Sequence, residues 1–588
     1  MSQRGIFDEL DLEFEGRLRE HKIITKTFRG ERGEISVTSA TAIIESRFNF
    51  KVLDRLHDPC FLAIERETAG GFTYLIYEAL APTATHFQML GMNVAMPNIV
   101  RREFLDTISS GWGKSDETWI DILAIPTRHE MQIINGQPSY SRSRLTPLTG
   151  ARAHILSREA VERFLCVKPG AVVGRLLGFD LPLTVDIGHL VRYHAGVFGF
   201  TGTGKSNLVS YLIRKTLEED RDLRVVVMDL AGEYLVHLID IIEGEGEVYT
   251  TEECEDSEQL LSSQVIPETL EDRPGLLKAL EKCAERIMSE GRVHPINLTR
   301  SRAITVSYLL SKLEDASSSG KTGATSATLA LGRLERLIAS RRLNPKTDLL
   351  RLSPEDRDRV VEILTSTMNE LHEKSGLRSD LTSLITYIRE GSAEGEEIMD
   401  PSRLSRKVLD RSSPRVTIVY APEPYDARQA TSTFVQDLLM LKKVSGSNRN
   451  RRVLLVLDEA QEFIPDRVRV EDYTDASNRA IEALLRHGRK YRAHCWLSTQ
   501  RVAHLNVNAL HQLHSYFVSV LPRSYDRWVV AEAFSLDTAL LDKTIDLETG
   551  EWLFVSYKAT RQKNIPTFIK APNNEDIIAS RLQSKLRG

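Results

Sequence analysis

The stretch from Gly199 to Ser206 reads Gly-Phe-Thr-Gly-Thr-Gly-Lys-Ser, which matches the spacing G-x-x-x-x-G-K-S. Glycines permit backbone dihedrals that turn successive N–H groups onto phosphate oxygens, and the helix that follows adds its positive N-terminal end. In such a loop the lysine reaches the β- and γ-phosphates and the serine hydroxyl binds Mg²⁺. We therefore predict a nucleotide and Mg²⁺ site lined by Gly199, Thr201, Gly202, Thr203, Gly204, Lys205, Ser206 and Asn207.

Two acidic side chains end a later apolar run, Val453-Leu-Leu-Val-Leu-Asp-Glu459. A carboxylate at the C-terminal end of a parallel strand lies at the edge where such sheets bind ligands. Asp458 is therefore predicted to bind Mg²⁺, and Glu459 to take a proton from the attacking water. Acids also end strands simply because they are solvated there, and the glycine loop upstream favours the functional interpretation.

Two other polar residues follow buried strands. Gln500 ends the run Trp496-Leu-Ser-Thr-Gln500, where its amide would sense the γ-phosphate and align water, or would simply be solvated. Glu233 follows the apolar strand Arg224–Asp229 and is either a further acid of the site or a turn residue.

The segment Arg486-His-Gly-Arg-Lys-Tyr-Arg492 is a compact basic cluster. One interpretation is a solvated helix end. The other is an arginine that contacts the γ-phosphate held by a neighbouring subunit, a contact that can raise hydrolysis by ~10³ or more. Arg489 and Arg486 are the candidates for that catalytic role.

These residues are predicted to lie on a βαβ unit: a short buried strand at 196–199, the glycine loop, a helix near 207–219 and the strand 224–229. Further buried strands are predicted at 416–420, 453–457, 494–498 and 516–520. The expected fold class is α/β, with a RecA-like P-loop parallel sheet, a helical insertion and a preceding small β-barrel.

The predicted domains follow changes in composition along the chain. Residues 235–413 have mostly helical spacing, and short β-rich runs separated by Gly and Pro occupy the N-terminal part. Ser319–Thr322 imitates a second phosphate loop without a preceding strand, so we interpret it as a surface linker. The expected divisions are an N-terminal arm (1–30), a barrel-like domain (31–170), the ATPase core (171–234 and 414–565), the insertion (235–413) and a C-terminal tail (566–588).

Composition excludes several other classes of protein. The 588 residues are 41% hydrophobic and 27% charged, as in folded globular proteins, and the net charge of −5 gives no general attraction for nucleic acid. Five cysteines without a C-x-x-C pair argue against a zinc or disulfide framework. No apolar run reaches the ~20 residues that a bilayer requires. A cytoplasmic protein without membrane contact is the expectation.

The order of the motifs resembles the HerA ATPases, relatives of the FtsK-type DNA pumps, from about residue 170 to 560. The resemblance lies in residues 178–182, His194, the glycine loop, 229–234, 457–465, 488–491, 498–501 and 547–551. One departure is Tyr193, because relatives often have an arginine directly before the histidine and here Arg192 is displaced.

This resemblance implies a bacterial ring, usually of six subunits, with ATP between neighbours and double-stranded DNA through the centre. It also implies a partner, either a nuclease, as archaeal HerA has in NurA, or a sirtuin-like or other effector of anti-phage defence. Lys205, Ser206, Asp458, Glu459 and Gln500 match the family's site residues, and an arginine of 488–490 matches the residue that acts on the neighbour.

Two alternatives stay open beside a DNA translocase. A DEAD/DEAH-type helicase would explain Asp458-Glu-Ala-Gln461, but it needs two RecA-like domains in one chain. A nucleotide-gated ring scaffold that assembles and activates an effector would explain the near-neutral charge.

Overall fold

A computed structural model describes residues 5–30, 33–69, 71–92, 96–114, 116–252, 254–298, 305–318, 324–341, 343–344, 347, 349–371, 376–390, 399–444 and 450–587. These fall into two compact units, Met1–His294 with Ser405–Gly588, and Pro295–Leu404.

The strands are β1 Gly16–Gly30, β2 Gly33–Arg47, β3 Cys60–Thr68, β4 Gly71–His86, β5 Thr118–Ile134, β6 Gln137–Arg142, β7 Arg152–Ile155, β8 Ala171–Leu176, β9 Leu181–Val185, β10 Ala195–Phe198, β11 Leu223–Asp229, β12 Gly246–Thr250, β13 Val293–Pro295, β14 Val416–Tyr420, β15 Arg452–Leu457, β16 Ala493–Thr499, β17 Ser515–Val518, β18 Glu551–Ser556 and β19 Thr567–Lys570.

The helices occur throughout both units. In chain order they are α1 Asp11–Phe14, α2 Phe50–His57, α3 Phe87–Gly91, α4 Asn98–Gly111, α5 Arg158–Leu165, α6 Ile187–Arg192, α7 Lys205–Glu219, α8 Tyr234–His237, α9 Ile239–Glu245, α10 Ser257–Ser262, α11 Glu268–Glu271, α12 Pro274–Ser289, α13 Val306–Ser318, α14 Ala324–Arg341, α15 Pro354–Asn369, α16 Gly376–Glu390, α17 Pro401–Leu409, α18 Pro424–Val444, α19 Thr474–Tyr491, α20 Val507–Leu510, α21 Ser524–Phe534, α22 Thr538–Lys543 and α23 Asn574–Arg587. None of the helices in the described part of the chain combines the length and apolarity needed to cross a bilayer.

The N-terminal strands form a sheet of their own, in the order β2-β1-β7-β3-β4-β5-β6, and an additional β2–β5 pairing closes it into a ring. All of its pairings are antiparallel. Alternate residues such as Leu62, Ile64, Ile120 and Ile122 are fully buried in its core. The closed ring agrees with the small barrel expected from the sequence.

The predicted N-terminal arm differs from what the structure contains. Residues 16–30 are strand β1, paired with β2 from Arg17 opposite Glu45 to Gly30 opposite Gly33. The sequence signal was weak because most side chains after Leu18 are exposed or half-buried, so few apolar residues mark the strand. Pairing with β2, rather than a hydrophobic pattern, keeps this segment extended.

The main sheet has the order β13-β12-β14-β11-β15-β16-β10-β17-β18-β19-β8-β9. Its pairings are parallel from β12 through β17 and antiparallel from β17 through β9. The strands β11, β14 and β16 are buried at every residue, as their apolar sequences require. This confirms the α/β fold class with a P-loop parallel sheet. The described residues contain no second parallel sheet, so the second domain of a DEAD/DEAH-type helicase is not among them.

Two other predicted segments differ from the structure. Inside the stretch predicted as a helical insertion, β12 (Gly246–Thr250) pairs with β14 and extends the main sheet. Inside the predicted tail, β19 pairs with both β18 and β8. Both strands are short, and their partners lie far away in sequence, so local periodicity does not identify them. The predicted domain boundaries remain predictions.

The compact unit Pro295–Leu404 has its own apolar core. It contains α13 to α16, and Leu309, Leu334 and Leu364 are completely buried there. This agrees with the helical spacing of that part of the sequence. The segment Ser319–Thr322, interpreted above as a linker, lies outside the described residues.

Candidate nucleotide site

The glycine loop joins the end of β10 to the start of α7 at the carboxyl edge of the parallel strands. Gly202 and Gly204 have φ values of 81° and 90°, a region that residues with a side chain rarely adopt. Within the loop, the Thr203 hydroxyl donates to the Phe200 carbonyl at 2.8 Å, and Lys205 Nζ donates to the same carbonyl at 3.4 Å. The loop thus has the backbone conformation that a phosphate-binding loop needs.

Ser206 connects this loop to the acid after β11. Its hydroxyl donates a hydrogen bond to the Glu233 carboxylate. Glu233 therefore contacts the residue predicted to bind Mg²⁺, which favours a place in the site over a simple turn. Glu233 lies 27 positions after Ser206, so only the tertiary structure brings the two side chains together.

Asp458 and Asp229 end neighbouring strands, and each is almost completely buried, at 3% and 1% exposure. Burial raises the pKa of Asp458 well above its usual range, and the charges of Glu233, Asp229 and Glu459 raise it further. Burial also raises the pKa of Asp229 to about 6, although the backbone N–H groups of Tyr234 and Gly232 act in the opposite direction. The raised pKa values mean that this cluster disfavours ionisation by itself, and a bound cation would favour the charged carboxylates.

Glu459 adopts φ 45° and ψ 52°, a left-handed conformation that costs energy in a residue with a side chain. Its carboxylate accepts hydrogen bonds from Gln461 Nε2 at 2.9 Å and from Gln500 Nε2 at 3.2 Å. The Gln500 Oε1 atom in turn accepts from the Thr201 hydroxyl at 2.6 Å. The structure thus connects the predicted base, the predicted sensor and the glycine loop in one hydrogen-bonded chain.

Strand order explains why these distant residues meet. β16 lies between β10, which leads into the loop, and β15, which ends at Leu457 just before Asp458. Because parallel strands end at the same edge, Gln500 after β16 falls between the glycine loop and Glu459. Sequence reasoning did not identify Gln461, whose side chain also accepts from Thr499. Its sequence signal is its place in the stretch Asp458-Glu-Ala-Gln461, two residues after Glu459.

The side chain of Asn207, which was predicted with its neighbours to bind the nucleotide, has other contacts in the structure. Its Oδ1 accepts from the backbone N–H of Asn574 at 2.7 Å, and its Nδ2 donates to the Pro572 carbonyl at 3.4 Å. Its side chain therefore holds the start of α23. Only its backbone stays available to a phosphate, as the first turn of α7 would offer it.

Arg486 and Arg489 lie away from this cluster. Helix α19 carries both and leads into the amino end of β16, which is the opposite edge of the sheet from Gln500. The Arg489 guanidinium lies 5.5 Å from the centre of the Tyr193 ring, and Arg486 pairs with Glu482 at 3.7 Å. The structure does not bring either arginine to the glycine loop of its own chain.

His194, a residue of the motif before β10, has a structural contact. It is 4% exposed, and its Nδ1 accepts from the backbone N–H of Cys495 at 3.0 Å. Burial lowers the pKa of His194 to about 4, so the ring is neutral at physiological pH. It connects β16 to the residue before β10 on the amino side of the sheet.

The oxygen atoms at the carboxyl edge fit Mg²⁺. Ser206 offers a hydroxyl, and Asp458 and Glu233 offer carboxylates, all of them hard ligands of the kind Mg²⁺ takes. Within the described ranges no group of three or more His, Cys, Asp or Glu residues could hold a metal ion alone. This is the usual situation at a P-loop, where substrate phosphates and water complete the coordination.

Comparisons with known proteins match this part of the chain. Residues 171–413 match the family model described as "Helicase HerA, central domain", a range that ends before Asp458 and Gln500. An uncharacterized protein of Aquifex aeolicus (strain VF5) is 37% identical over 62 residues, 10% of this chain and 23% of that protein. The match thus spans about a quarter of the length of that relative.

Two solved structures align over more of the chain. VirB4 of Thermoanaerobacter pseudethanolicus is 14% identical, with 68% of this chain and 96% of VirB4 covered and a TM-score of 0.38. The plasmid coupling protein TrwB in complex with ADP and Mg²⁺ is 12% identical, with 70% of this chain and 91% of TrwB covered and a TM-score of 0.37.

Proposed function

We propose that this chain is a P-loop ATPase of the HerA/FtsK type that hydrolyses ATP with Mg²⁺, a proposal supported by the match of residues 171–413 to the family model "Helicase HerA, central domain". The observation that carries the proposal is the hydrogen-bonded chain from Thr201 through Gln500 to Glu459. The Gln500 amide lies between the glycine loop and the Glu459 carboxylate, and in the proposal it would orient the attacking water that this carboxylate deprotonates.

In this proposal each side chain has one task. Lys205 leaves the Phe200 carbonyl and binds the β- and γ-phosphates, while the Ser206 hydroxyl and Asp458 hold the metal, with Glu233 keeping Ser206 in place. Bound Mg²⁺ supplies positive charge that offsets the charge developing on the phosphate oxygens. Gln500 orients the water, and Glu459 accepts its proton.

The same proposal includes assembly. Since Arg489 and Arg486 lie at the opposite sheet edge from the glycine loop, either of them would contact a γ-phosphate only in the site of a neighbouring copy. A ring, with six subunits as the family expectation, would supply one arginine per site in trans. Arg489 is the first candidate, because Arg486 already pairs with Glu482.

We further propose that the ring translocates double-stranded DNA in the cytoplasm and works with a partner nuclease or a sirtuin-like or other effector in anti-phage defence. A second candidate is a nucleotide-gated scaffold that activates such an effector without moving DNA. The net charge of −5 favours this second candidate, because a chain with this charge has no general attraction for DNA. It could bind DNA only where basic groups are concentrated locally.

One experiment separates these proposals. ATP turnover and mass in solution are measured for the purified chain with and without duplex DNA at moderate salt. Turnover that rises with DNA, in an oligomer that retains DNA, supports the motor. Turnover indifferent to DNA supports the scaffold, and absence of turnover in every oligomeric state contradicts ATP hydrolysis.

A further inference from the structure

A loop before the last two strands donates two hydrogen bonds to backbone carbonyls of the glycine loop. Residues 547–550, which we name the bracing loop, precede β18. The Gly550 N–H donates to the Thr203 carbonyl at 3.1 Å, and the Thr549 hydroxyl donates to the Gly202 carbonyl at 3.2 Å. No task in the hydrolysis scheme above uses these contacts.

These two hydrogen bonds orient peptide groups of the glycine loop. In a planar trans peptide the C=O and the following N–H point in opposite directions. When Gly550 holds the Thr203 carbonyl outward, the Gly204 N–H is directed to the other side, into the loop. The bond from Thr549 fixes the preceding carbonyl, at Gly202, in the same way. Phosphate binding by a glycine loop depends on such N–H directions.

The bracing loop is itself anchored on both sides. Lys570 Nζ lies 3.6 Å from the Glu548 carboxylate and 3.5 Å from that of Glu551, and the Ala571 N–H donates to the Gly550 carbonyl at 2.8 Å. Helix α22 and a short 3-10 turn, Thr544–Asp546, lead directly into it. A displacement of α22 therefore reaches the glycine loop over a few residues.

Helix α22 also contacts the barrel. Lys26 Nζ on β1 donates to the Thr538 hydroxyl at 3.0 Å. At the other end of the helix, Lys543 lowers the pKa of Glu78 on β4, although burial dominates and raises it to about 8. Glu78 is 2% exposed, and its Oε2 atom has no hydrogen-bond partner. The barrel thus places a buried acid beside this helix.

A second contact runs through α21. Phe28 on β1 stacks on Trp528 and Tyr525, with ring centres 5.2 Å and 6.1 Å apart. Arg527 on the same helix pairs with Asp542 of α22 at 3.2 Å. The hairpin of β1 and β2 therefore contacts both helices that precede the bracing loop.

We propose that the bracing loop positions the glycine loop for nucleotide binding, and that the barrel acts on that binding through α21 and α22. Thr549 and Gly550 are positioning residues in this scheme, since they act through the glycine-loop backbone. The inference rests on the proposed nucleotide site, but not on hydrolysis.

The first test compares Thr549→Val with Thr549→Ser in the full-length chain. Valine removes the hydroxyl at nearly the same volume, and a single hydrogen bond of this kind is expected to change affinity by about three- to tenfold. We expect Thr549→Val to raise the Kd for a non-hydrolysable ATP analogue and the KM for ATP by that factor, with kcat at saturation changed by less than about twofold. Thr549→Ser should keep the wild-type values. A Thr549→Val protein that keeps both the wild-type Kd and the wild-type melting temperature overturns the proposal.

The second test concerns the barrel. Phe28→Ala should raise the same Kd by about two- to threefold, while Ile23→Ala, at a position on the same strand that is 72% exposed, should not change it. Phe28→Ala combined with Thr549→Val should weaken binding no more than Thr549→Val alone, since coupled residues are not additive. Fully additive effects, or no effect of Phe28→Ala, contradict the role of the barrel.

Wild-type turnover is measured beside these affinities. A wild-type chain that binds the analogue without hydrolysing ATP refutes the proposed hydrolysis and leaves the positioning role to be decided by the Kd values. If Thr549→Val lowers the melting temperature, the Kd values of Thr549→Val and Thr549→Ser are compared at a temperature where both proteins are folded. Equal Kd values there overturn the positioning role.

Discussion

The two edges of the main sheet differ in the charge they carry. The carboxyl edge holds the glycine loop and the acids Asp229, Glu233, Asp458 and Glu459. The amino edge borders a cleft of about 1000 Å³ with an excess of basic residues, since Arg192, Arg452, Arg489, Lys490 and Arg492 line it together with Asp186, Glu219 and Asp220. β16 spans seven residues between the edges, so about 20 Å of extended chain separates the acids from these cations. These cations are therefore too far away to contact a phosphate bound at the glycine loop of the same chain, and they could reach one only in a second copy.

Burial acts on the two edges in opposite directions. At the carboxyl edge it raises the pKa of Asp229 and Asp458, and at the amino edge it lowers the pKa of His494 to about 3. The buried groups thus resist ionisation, and the cationic charge of the amino edge belongs to arginines near its surface. One edge thus suits a metal–phosphate complex, whereas the other can present cations to a partner.

The largest expected effect is at Lys205. Lys205→Ala removes the cation that binds the β- and γ-phosphates, so ATP turnover should fall by at least about a hundredfold, measured by phosphate release. Lys215→Ala, at a half-buried position of α7 where the lysine pairs with Glu218, is the control and should keep turnover within about twofold. Equal turnover in the two variants would contradict the placement of the nucleotide at the carboxyl edge.

Glu459→Gln is expected to act on chemistry alone. Loss of the proton acceptor should lower kcat by about 10²- to 10⁴-fold, while the Kd for ATP stays within a few-fold of wild type. Affinity is measured by equilibrium binding with Mg²⁺, and the exposed Glu471→Gln serves as the matched control. A Glu459→Gln protein with normal turnover would remove the proposed base.

The comparison between edges is tested most directly at Arg489. Arg489→Ala should lower turnover by about 10²-fold or more, and mixing it with Lys205→Ala protein should restore part of the activity, because one mixed interface has both functional groups. Arg486→Ala should have the smaller effect, since that side chain pairs with Glu482. No recovery on mixing would exclude catalysis in trans by Arg489, and a larger loss for Arg486→Ala would transfer the role to that residue.

The smallest expected effect is a change in the pH dependence of stability. Asp229 has a folded pKa of about 6 and an ordinary value of 3.8, so the folded state binds more protons between these pH values and stability falls as pH rises through them. His194, with a pKa of about 4 against 6.5, has the opposite slope over much of that range. Asp229→Asn should therefore make stability rise more steeply from pH 4 to pH 6, with a change of up to about 3 kcal/mol.

Melting temperature measured at pH 4, 5, 6 and 7 checks this expectation, with Asp222→Asn on the exposed turn before β11 as the control. An unchanged slope in Asp229→Asn would mean that this carboxyl group is ionised in the folded protein at pH 5.

Much of the site could be predicted because its signals are local. The spacing of Gly199, Gly204, Lys205 and Ser206 specifies a loop conformation by itself, and Asp458 directly follows an apolar strand. Glu233 stayed ambiguous, since a turn residue and a site residue look alike until β11 and β10 are placed in one sheet. Asn207 lies within the motif, but its side chain holds α23, a contact across 367 residues. Strand β1 was missed because its hydrogen bonds to β2, not its apolar residues, define it.

The glycine loop, the acid pair 458–459 and the parallel α/β class could therefore be predicted from local sequence alone. These depend on glycine dihedrals, on hydrophobic runs and on residues a few positions apart. Three features depend on the folded chain: Gln500 joins Thr201 to Glu459, the bracing loop holds the glycine loop, and Arg489 lies at the far edge. The reason is physical: strand order and long-range pairing are set by packing of the whole sheet, and no local pattern encodes which distant strand becomes a neighbour.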